Sequence, residues 1–498
     1  MTKNNFYTVL TSSFSKNKNK LAFLVPESKN LTYFQFDELV NTICSNLLKM
    51  NVKPGERILA QIKKSPAGIA LYLACLKIGA IFIPLNTSYS IEELKFFVND
   101  SKPVLFITDP EKKEKINTLI NKNLATSALD KNKNGLLVKN LNKSAKQYTY
   151  SAKENEIASI IYTSGTTGTP KGAKLSHKNL HSNAISLTRI WKFRSNDVLL
   201  HALPTYHVHG LFVAIHCALI KTSTILFLPK FEIESIINGL KKSSVMMGVP
   251  TYYSRMISSN KLSKSICSNI RLFISGSAPL NTKTWKEFFH LTGHEILERY
   301  GMSETGMITS NPYNGIRVPD TVGFPLPDVQ IRIVDKYNNV LSNGKTGEIQ
   351  VKGPNVFSGY WNLDQINKLS FTSDDFFNTG DLGKIDKEGR ISIVGRSKDL
   401  IISGGLNVYP KEVENLIDGI DSIKESAVVG LPDNDFGEVV IAIIVKDKNS
   451  TISEIEIFNI LNKNLAKFKH PKKIFFIEEL PRNVMGKVQK NILRERYK

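Results

Sequence analysis

Residues 160–172 read Ile-Ile-Tyr-Thr-Ser-Gly-Thr-Thr-Gly-Thr-Pro-Lys-Gly and are the most informative part of the chain. The apolar start, ending at Tyr162, is typical of a buried strand, and it leads into a Gly/Ser/Thr loop closed by a lysine. Such a loop can surround one polyphosphate with backbone N–H groups, hydroxyls and an ammonium group. The predicted phosphate-binding residues are Thr163, Ser164, Gly165, Thr166, Thr167, Gly168 and Lys171.

This phosphate loop differs from a Walker A loop, because its lysine is followed by glycine instead of Ser or Thr and its glycine spacing is different. A flexible polar linker is the alternative interpretation. Linkers rarely follow directly behind a strand or end in Pro-Lys-Gly, so the pattern favours phosphate binding.

The composition indicates a globular enzyme of more than one domain. A chain of 498 residues is too long for one hydrophobic core, and its 41% apolar and 22% charged residues are ordinary values. The net charge of +21 raises the possibility of nucleic-acid binding. However, lysine far outnumbers arginine and is spread along the whole chain, whereas nucleic-acid surfaces favour clustered arginine. We therefore expect small-molecule substrates and no nucleic-acid partner.

The cysteines and the N-terminus bear on the compartment. Cys44, Cys75, Cys217 and Cys267 have no metal-ligand spacing, and Cys75 and Cys217 lie in apolar helix-like runs. This pattern fits a reducing compartment. The N-terminus lacks the apolar core of a signal peptide, and no apolar run is long enough to span a bilayer. The sequence predicts a soluble cytoplasmic enzyme and does not decide its oligomeric state.

Helix-like and strand-like segments alternate, which predicts an α/β fold with helix-covered parallel or mixed sheets. Two predicted helices are Phe34–Met50 and Ala67–Ile78, and residues 110–153 are expected to form surface excursions. Ligand sites in such sheets gather at the carboxyl ends of the strands. The predicted strands are Arg57–Ile62, Ala80–Pro84, Val104–Thr108, Val198–Leu200, Ser223–Leu228, Val245–Val249 and Arg271–Ser275.

The character of the chain changes towards its C-terminus. From Gly347 onward, alternating segments predict a small antiparallel barrel-like subdomain. Beyond Arg396 a compact pattern predicts an α+β domain of roughly a hundred residues. The expected division is a large N-terminal domain, residues 1–397, and a small mobile C-terminal domain, residues 398–498.

Two further segments carry polar side chains suited to a nucleotide. In Glu298-Arg-Tyr-Gly-Met-Ser-Glu304, Tyr300 can stack on a base, Ser303 can bond a phosphate oxygen and Glu304 can hold Mg²⁺. A helix-capping Ser-Glu pair is the alternative. Asp381 can accept from ribose hydroxyls near Arg396, although a turn aspartate and a surface ion pair are alternatives.

In this order, these segments resemble the adenylate-forming superfamily of AMP-binding acyl-CoA synthetases. The resemblance covers essentially the whole chain, including Pro481-Arg-Asn-Val-Met-Gly-Lys487 near its end. Within the superfamily the sequence is most similar to malonyl-CoA synthetases. The segments that carry this similarity are 203–212, 245–255, 298–307, 310–313, 351–357, 403–410 and 480–490.

The resemblance implies a reaction in two halves: an acid attacks the α-phosphate of ATP to give acyl-AMP and pyrophosphate, and CoA then displaces AMP. Lys487 would bridge the attacking carboxylate and the α-phosphate, and Glu304 would hold Mg²⁺. The C-terminal domain would swing about Lys398 between the halves. Other implied nucleotide or CoA contacts are Ser277, Ala278, Pro279, Glu298, Arg299, Tyr300, Gly301, Met302, Ser303, Asp381, Arg396, Ser403, Gly404 and Gly405.

For a short dicarboxylate, the distal carboxylate needs a fixed cation. The subfamily resemblance points to Arg255 with Ser277 as a second contact, although a surface ion pair is the alternative for Arg255, and Arg271 is a weaker candidate. His207 is expected near the acyl group, where it could also be simply packed. Residues expected to crowd the pocket against long chains are Val208, Met302 and Met307.

Three alternative functions remain open at this point. One is a short-chain, medium-chain or aryl acyl-CoA synthetase of the same superfamily. Another is an adenylation module that loads a carrier protein, which the absence of a carrier segment after Lys498 disfavours. The last is a non-enzymatic nucleotide- or nucleic-acid-binding protein, which the joint presence of Lys171, Glu304 and Lys487 disfavours.

Overall fold

The structure is a computed structural model of the 498-residue chain. It describes residues 4–119, 124–130, 135–138, 148–163, 169–433, 435–448, 450–483 and 485–498. Among these residues, no helix is both long and apolar enough to cross a membrane.

The largest sheet of the described chain is mostly parallel and holds the segments predicted to contact the acid and the nucleotide. Its central strands run parallel, so their carboxyl ends open onto the same edge. Ser275 pairs with Glu298 in this sheet, which brings the turn at Gly276 beside Tyr300. In spatial order the strands are Phe324–Pro325, Gly306–Ser310, Leu297–Met302, Leu272–Ser275, Val245–Gly248, Val198–His201, Thr224–Phe227, Leu21–Leu24 and Leu31–Thr32.

A second sheet carries the phosphate loop. Its last two strands form an antiparallel hairpin in which Thr163 pairs with Lys171, so the loop projects from the sheet edge. In spatial order the strands are Ala125–Ala128, Leu105–Thr108, Arg57–Gln61, Ile81–Pro84, Ile157–Thr163 and Lys171–Ser176.

Apolar helices cover these sheets and bury one large core between them. Pro66–Ile78, for example, is buried from Ile69 to Ile78, begins at Pro66 behind the N-cap Ser65 and ends at the left-handed Gly79. The other helices of this region are Phe6–Thr11, Tyr33–Lys49, Ile91–Ser101, Lys113–Leu119, His177–Ile190, His216–Ile220, Ile233–Leu240, Pro250–Ser258, Thr282–Thr292 and Asp364–Ser370. A π-helical segment, His209–Ile215, follows the loop that carries His207.

In chain order, an antiparallel sheet follows this region and precedes the C-terminal domain. Its strands are Gln330–Val334, Gly347–Lys352, Phe377–Ile385 and Ile391–Arg396. The C-terminal domain is α+β and has its own apolar clusters on the two faces of its sheet. Its strands are Ile401–Ser403, Leu406–Val408, Ile423–Asp433, Gly437–Lys446 and Lys473–Ile477, and its helices are Pro410–Asp418, Glu454–Asn464 and Lys490–Tyr497.

The fold prediction is confirmed in class and in most elements, with two differences. Residues 110–153 were expected to form surface excursions, yet Ala125–Ala128 pairs with Leu105–Thr108 and Leu136 is buried. The strand is short and contains Ala, Thr and Ser, so its sequence lacks the apolar signal of a strand. The antiparallel sheet also begins earlier, at Gln330 instead of Gly347. The four cysteines are buried thiols, as predicted for Cys75 and Cys217.

Candidate active site

Lys171, Tyr360 and Glu304 lie together at the base of the phosphate loop. Lys171 Nζ is 4.9 Å from the centroid of the Tyr360 ring, and the Tyr360 hydroxyl donates to Glu304 Oε1 at 2.9 Å. Thr163 faces Lys171 across the hairpin, with Thr163 Oγ1 at 3.4 Å from the Lys171 carbonyl oxygen. Thus Lys171, the last residue of the phosphate loop, lies near the predicted magnesium ligand, and Thr163 is paired with Lys171. Ser164, Gly165, Thr166, Thr167 and Gly168 lie outside the described residues.

Glu304 is a buried carboxylate with cations on two sides. Burial raises its pKa, which the hydrogen bond from Tyr360 and the charges of Arg396 and Lys171 oppose. Its side chain is only 6% exposed, so a charged carboxylate here favours a cationic ligand. No cluster of three or more metal-ligating side chains occurs in the described chain. A lone carboxylate suits Mg²⁺ that takes its other ligands from phosphates and water.

Asp381, Arg396 and Tyr300 form a second buried group. Arg396 Nε donates to Asp381 Oδ1 at 2.7 Å, and the Tyr300 hydroxyl donates to Asp381 Oδ2 at 2.5 Å. Burial raises the pKa of Asp381, and the charge of Arg396 lowers it. The structure therefore brings together three residues predicted to contact the nucleotide. Asp381 and Arg396 lie 81 and 96 positions after Tyr300 in the sequence.

Lys487 lies close enough to this group to interact with its charges. Burial and the charge of Arg396 lower its pKa, whereas the carboxylates of Asp381 and Asp399 raise it. Lys487 is nevertheless exposed to solvent. Its loop touches the N-terminal domain at Gly486, where an added Cβ would lie 2.7 Å from Thr251 Oγ1. The predicted catalytic lysine is thus placed at the predicted nucleotide site.

Arg299 is buried beneath the Gly276–Ser277 turn, where an added Cβ on Gly276 would lie 2.4 Å from Arg299 Cζ. The Arg299 side chain is 3% exposed, and its Nε and Nη2 have no hydrogen-bond partner among the described residues. Burial lowers its pKa to about 9. A guanidinium without a partner in a buried position is costly unless an anion joins it.

His209 and Ser277 lie beside this guanidinium. His209 Nδ1 is 3.2 Å from Ser277 Oγ, and the residue is held neutral because burial and the charge of Arg299 lower its pKa. Ser277 has φ +75°, an unusual value for a side-chain-bearing residue that fixes where its hydroxyl points. Ala278 and Pro279 continue the same turn. His209 was not predicted from the sequence, where His207, two positions earlier, was the histidine expected near the acyl group.

His207 is half-buried next to Tyr206, and burial lowers its pKa to about 4. Its Nε2 atom is buried and has no partner within the described chain, so a neutral imidazole is available to a ligand. Met302 and Met307 lie on adjoining strands, and an added Cβ on Gly301 would lie 2.1 Å from the Gly306 carbonyl oxygen. Val208 is buried nearby, and Ser303 lies in the turn between the two strands.

The two arginines predicted as candidate partners of the distal carboxylate, Arg255 and Arg271, have different surroundings. Arg255 is exposed near the end of the helix Pro250–Ser258, one turn from the buried Tyr252. Arg271 is unavailable, because it donates through Nε and Nη2 to Asp197 at 2.8 and 2.6 Å. Arg255 therefore stays a prediction, and Arg271 has a structural role.

Lys398 and the Ser403–Gly405 turn lie outside the group just described. Lys398 is exposed in a short 3₁₀ turn, and its neighbour Asp399 is bound by Arg494 at 2.7 Å. The Gly404 N–H donates to the Phe436 carbonyl at 2.8 Å inside the C-terminal domain. Gly404 and Gly405 have φ values of +56° and +78°. Their predicted contact with CoA stays a prediction.

Tyr360 is a further residue that the sequence analysis missed. It follows the segment 351–357 in the sequence Phe-Ser-Gly-Tyr-Trp, and it joins Lys171 to Glu304. A buried aromatic after a turn is ordinary in sequence, so no signal separated it from core residues.

Comparisons with known proteins identify the family of the chain. Residues 10–361 match the model of the AMP-binding enzyme family, and residues 412–487 match its C-terminal domain. ATP-bound MatB from Rhodopseudomonas palustris is 44% identical, covers 99% of both chains and superposes with a TM-score of 0.94. A malonate–CoA ligase of Arabidopsis thaliana is 36% identical over 481 residues, which are 89% of this chain and 78% of the relative. An indoleacetate–CoA ligase of Aromatoleum aromaticum is 31% identical over 487 residues, 96% of this chain and 95% of the relative. The chain therefore belongs to the family of AMP-binding enzymes.

Proposed function

We propose that this protein is an AMP-forming acid–thiol ligase that joins malonate, or a close short dicarboxylate, to CoA through an acyl-adenylate. Family membership supports the class of reaction. The observation that carries the choice of acid is the buried, unpartnered guanidinium of Arg299 beside His209 and Ser277. The malonate–CoA ligase of Arabidopsis thaliana, 36% identical, points to the same acid.

The first half-reaction brings several negative charges together, so its catalysis must be electrostatic and positional. Lys487 is an ammonium on a flexible stem that faces Asp381 and Arg396. In this proposal its charge draws the attacking carboxylate towards the α-phosphate. Asp381 accepts from the ribose hydroxyls, Tyr300 lies against the base, and the loop from Thr163 to Lys171 holds the departing pyrophosphate.

Glu304 would hold Mg²⁺ in this proposal. Bound there, the metal would neutralise phosphate charge as the bond to pyrophosphate breaks. Tyr360 keeps one carboxylate oxygen of Glu304 in place through its hydroxyl at 2.9 Å, while Lys171 lies on the other side of the Tyr360 ring. Tyr360 thereby orients the carboxylate without itself needing to bind the metal.

In this proposal, the acid pocket favours an acid with a second carboxylate, because the Arg299 guanidinium has no anionic partner among the described residues. An alkyl chain in this pocket would leave Arg299 without an anion, while a dicarboxylate would satisfy it. His207 and His209 are neutral, so each can donate or accept a hydrogen bond without adding charge. Met302, Met307 and Val208 restrict the length of the acid. Arg255 is a further candidate partner of the distal carboxylate at the pocket mouth.

The second half-reaction requires Lys487 to leave, since its side chain occupies the path to the adenylate. We infer that residues 398–498 rotate about Lys398 and bring Ser403, Gly404 and Gly405 to the cleft, where glycine backbone lets the narrow arm of CoA approach closely. Residues 1–397 then form the stationary domain. A cytoplasmic location also stays a prediction.

The test is pyrophosphate release by purified protein with ATP, Mg²⁺ and a panel of malonate, methylmalonate, acetate, butyrate and indoleacetate, followed by thioester detection after CoA is added. We expect malonate to give the highest kcat/KM. A preference for butyrate or indoleacetate would replace the proposal by the second candidate, an acyl- or aryl-CoA ligase, which the indoleacetate–CoA ligase relative favours. Absence of pyrophosphate with every acid would reject the ligase class itself.

A further inference from the structure

One lysine of the N-terminal domain is fully engaged by the C-terminal domain. Lys283 Nζ lies 3.1 Å from the Asp421 carbonyl oxygen, 3.2 Å from that of Ile423 and 3.0 Å from Asp447 Oδ2. An ammonium group has three N–H bonds, and these three acceptors can use all of them. A surface lysine with such complete satisfaction by another domain is a specific contact and not a loose ion pair.

The neighbouring residue adds a second contact. Asn281 caps the helix Thr282–Thr292, with its Oδ1 accepting from the Lys283 N–H at 2.7 Å, and its Nδ2 donates to Asp418 Oδ2 at 3.0 Å. Asp418 is the last residue of the helix Pro410–Asp418, and its other oxygen accepts from Ser426 at 2.7 Å. The positive N-terminal end of the helix Thr282–Thr292 therefore lies next to the Asp418 carboxylate. Lys283 binds backbone carbonyls just beyond the C-terminal end of the helix Pro410–Asp418.

The segment that Lys283 holds leads directly to the loop that carries Lys487. Ile423 begins the strand Ile423–Asp433, and Glu425 of this strand pairs with Arg482. Arg482 Nη1 also donates to the Gly486 carbonyl oxygen at 2.5 Å, next to Lys487. A continuous set of hydrogen bonds and backbone thus connects Lys283 to the Lys487 loop. The loop itself contacts the N-terminal domain through Gly486, next to Thr251, and through Met485, which is buried in the N-terminal core.

We propose that Lys283 is a positioning residue that clamps the C-terminal domain in the orientation where Lys487 reaches the nucleotide. This inference rests on the proposed two-step function and adds the contact that stabilises its first step. The clamp must open before CoA can react, because Asp421, Ile423 and Asp447 move with the domain. Loss of the clamp should therefore affect the two half-reactions in opposite ways.

The test compares Lys283→Met with Lys286→Met. Lys286 is exposed one turn along the same helix, and no hydrogen bond or ion pair is present for it in the described part of the chain. Asp447→Asn weakens the same contact from the C-terminal domain. It therefore provides a second test if Lys283→Met fails to fold. Three quantities are measured: malonate-dependent ATP–pyrophosphate exchange, thioester formation from supplied malonyl-adenylate and CoA, and the distance between spin labels on Asn196→Cys and Asn462→Cys. Both label sites are exposed, whereas the native cysteines are buried.

We expect Lys283→Met to lower kcat for exchange by about tenfold to hundredfold, with little change in KM, because hydrogen bonds to a charged group are lost. Thioester formation from adenylate should be unchanged or faster, and the spin-label distances should spread. Asp447→Asn should act in the same direction and Lys286→Met should resemble the parent. Unchanged exchange, equal loss of both half-reactions, or an unchanged distance distribution would each overturn the clamp. If the parent protein uses another acid, the distance measurement still tests the clamp, so the two proposals fail separately.

Discussion

Asp381 and Arg396 face each other on neighbouring antiparallel strands, and Arg396 Nε donates to Asp381 Oδ1 at 2.7 Å. Arg396 ends its strand only two residues before Lys398, the predicted hinge. The residue that pairs with the predicted ribose-binding carboxylate is therefore close to the point about which the C-terminal domain is proposed to turn. On this proposal, a movement of the domain would act directly on the predicted nucleotide site.

Replacing Asp381 by Asn should weaken ATP binding, since the variant loses a charged acceptor and leaves Arg396 without its partner in a largely buried site. We expect KM for ATP to rise by about tenfold to hundredfold in steady-state assays, on the scale of one charged hydrogen bond. Glu388→Gln, an exposed change in the turn between the same two strands, is the control. An unchanged KM for ATP would place the ribose elsewhere.

Lys487→Ala should separate the two half-reactions. We expect pyrophosphate exchange to fall by about 10²–10³-fold or more, because the variant loses a cation that acts where charge develops. Thioester formation from supplied malonyl-adenylate should be nearly unaffected. Equal loss in both assays would show that Lys487 has no special role in the first half.

Arg299→Met and Arg255→Ala form a matched pair for the acid. Because Arg299 is buried and unpartnered, its loss should raise KM for malonate by about 30-fold or more and leave butyrate activity unchanged or improved. Arg255→Ala should also raise KM for malonate more than for acetate or butyrate, but to a smaller degree, because the side chain is exposed. Kinetics across the acid panel measure both. If only Arg255→Ala changes the preference, Arg299 is a structural residue.

The buried carboxyl group of Glu298 should make the free energy of unfolding depend on pH. Burial, with Asp320 nearby, raises its pKa from 4.5 to about 8, and its Oε1 has no partner among the described residues. The folded state thus holds a proton that the unfolded state releases, so the free energy of unfolding should fall as pH rises across this range. Each pKa unit corresponds to about 1.4 kcal/mol. Urea denaturation of Glu298→Gln at several pH values should show a flatter profile than the parent, whereas exposed Glu287→Gln should not. A parallel profile for Glu298→Gln would assign the dependence to other groups.

The individual turns and strands of the site could be predicted from the sequence more readily than the side-chain contacts between them. Glycine turns behind apolar strands located the phosphate loop and the Gly276 turn, because both depend on local chemistry and on parallel strands sharing an edge. The partners of these residues were less predictable. Tyr360 and His209 were not predicted, and Arg299 was predicted as a nucleotide contact and not as a partner of the acid, because these roles depend on which side chains tertiary packing leaves unpaired.

Contacts between domains were the least predictable feature. Lys283 belongs to a chain in which Lys and Arg together number 66, so its position gave no signal. Its three acceptors are two backbone carbonyls and one carboxylate, and backbone acceptors leave no trace in a residue pattern. By contrast, Lys487 was predictable because a short motif surrounds it.

The left-handed backbone of Ser277 has a practical consequence for redesign of the pocket. Threonine or valine would be strained at φ +75°, whereas glycine would relax the turn and remove the hydroxyl. A library that aims at bulkier acids should therefore leave this site as Ser, Gly or Asn and place its diversity at Val208 and Met302. Variants chosen in this way would enlarge the pocket without adding strain to a turn that is already strained.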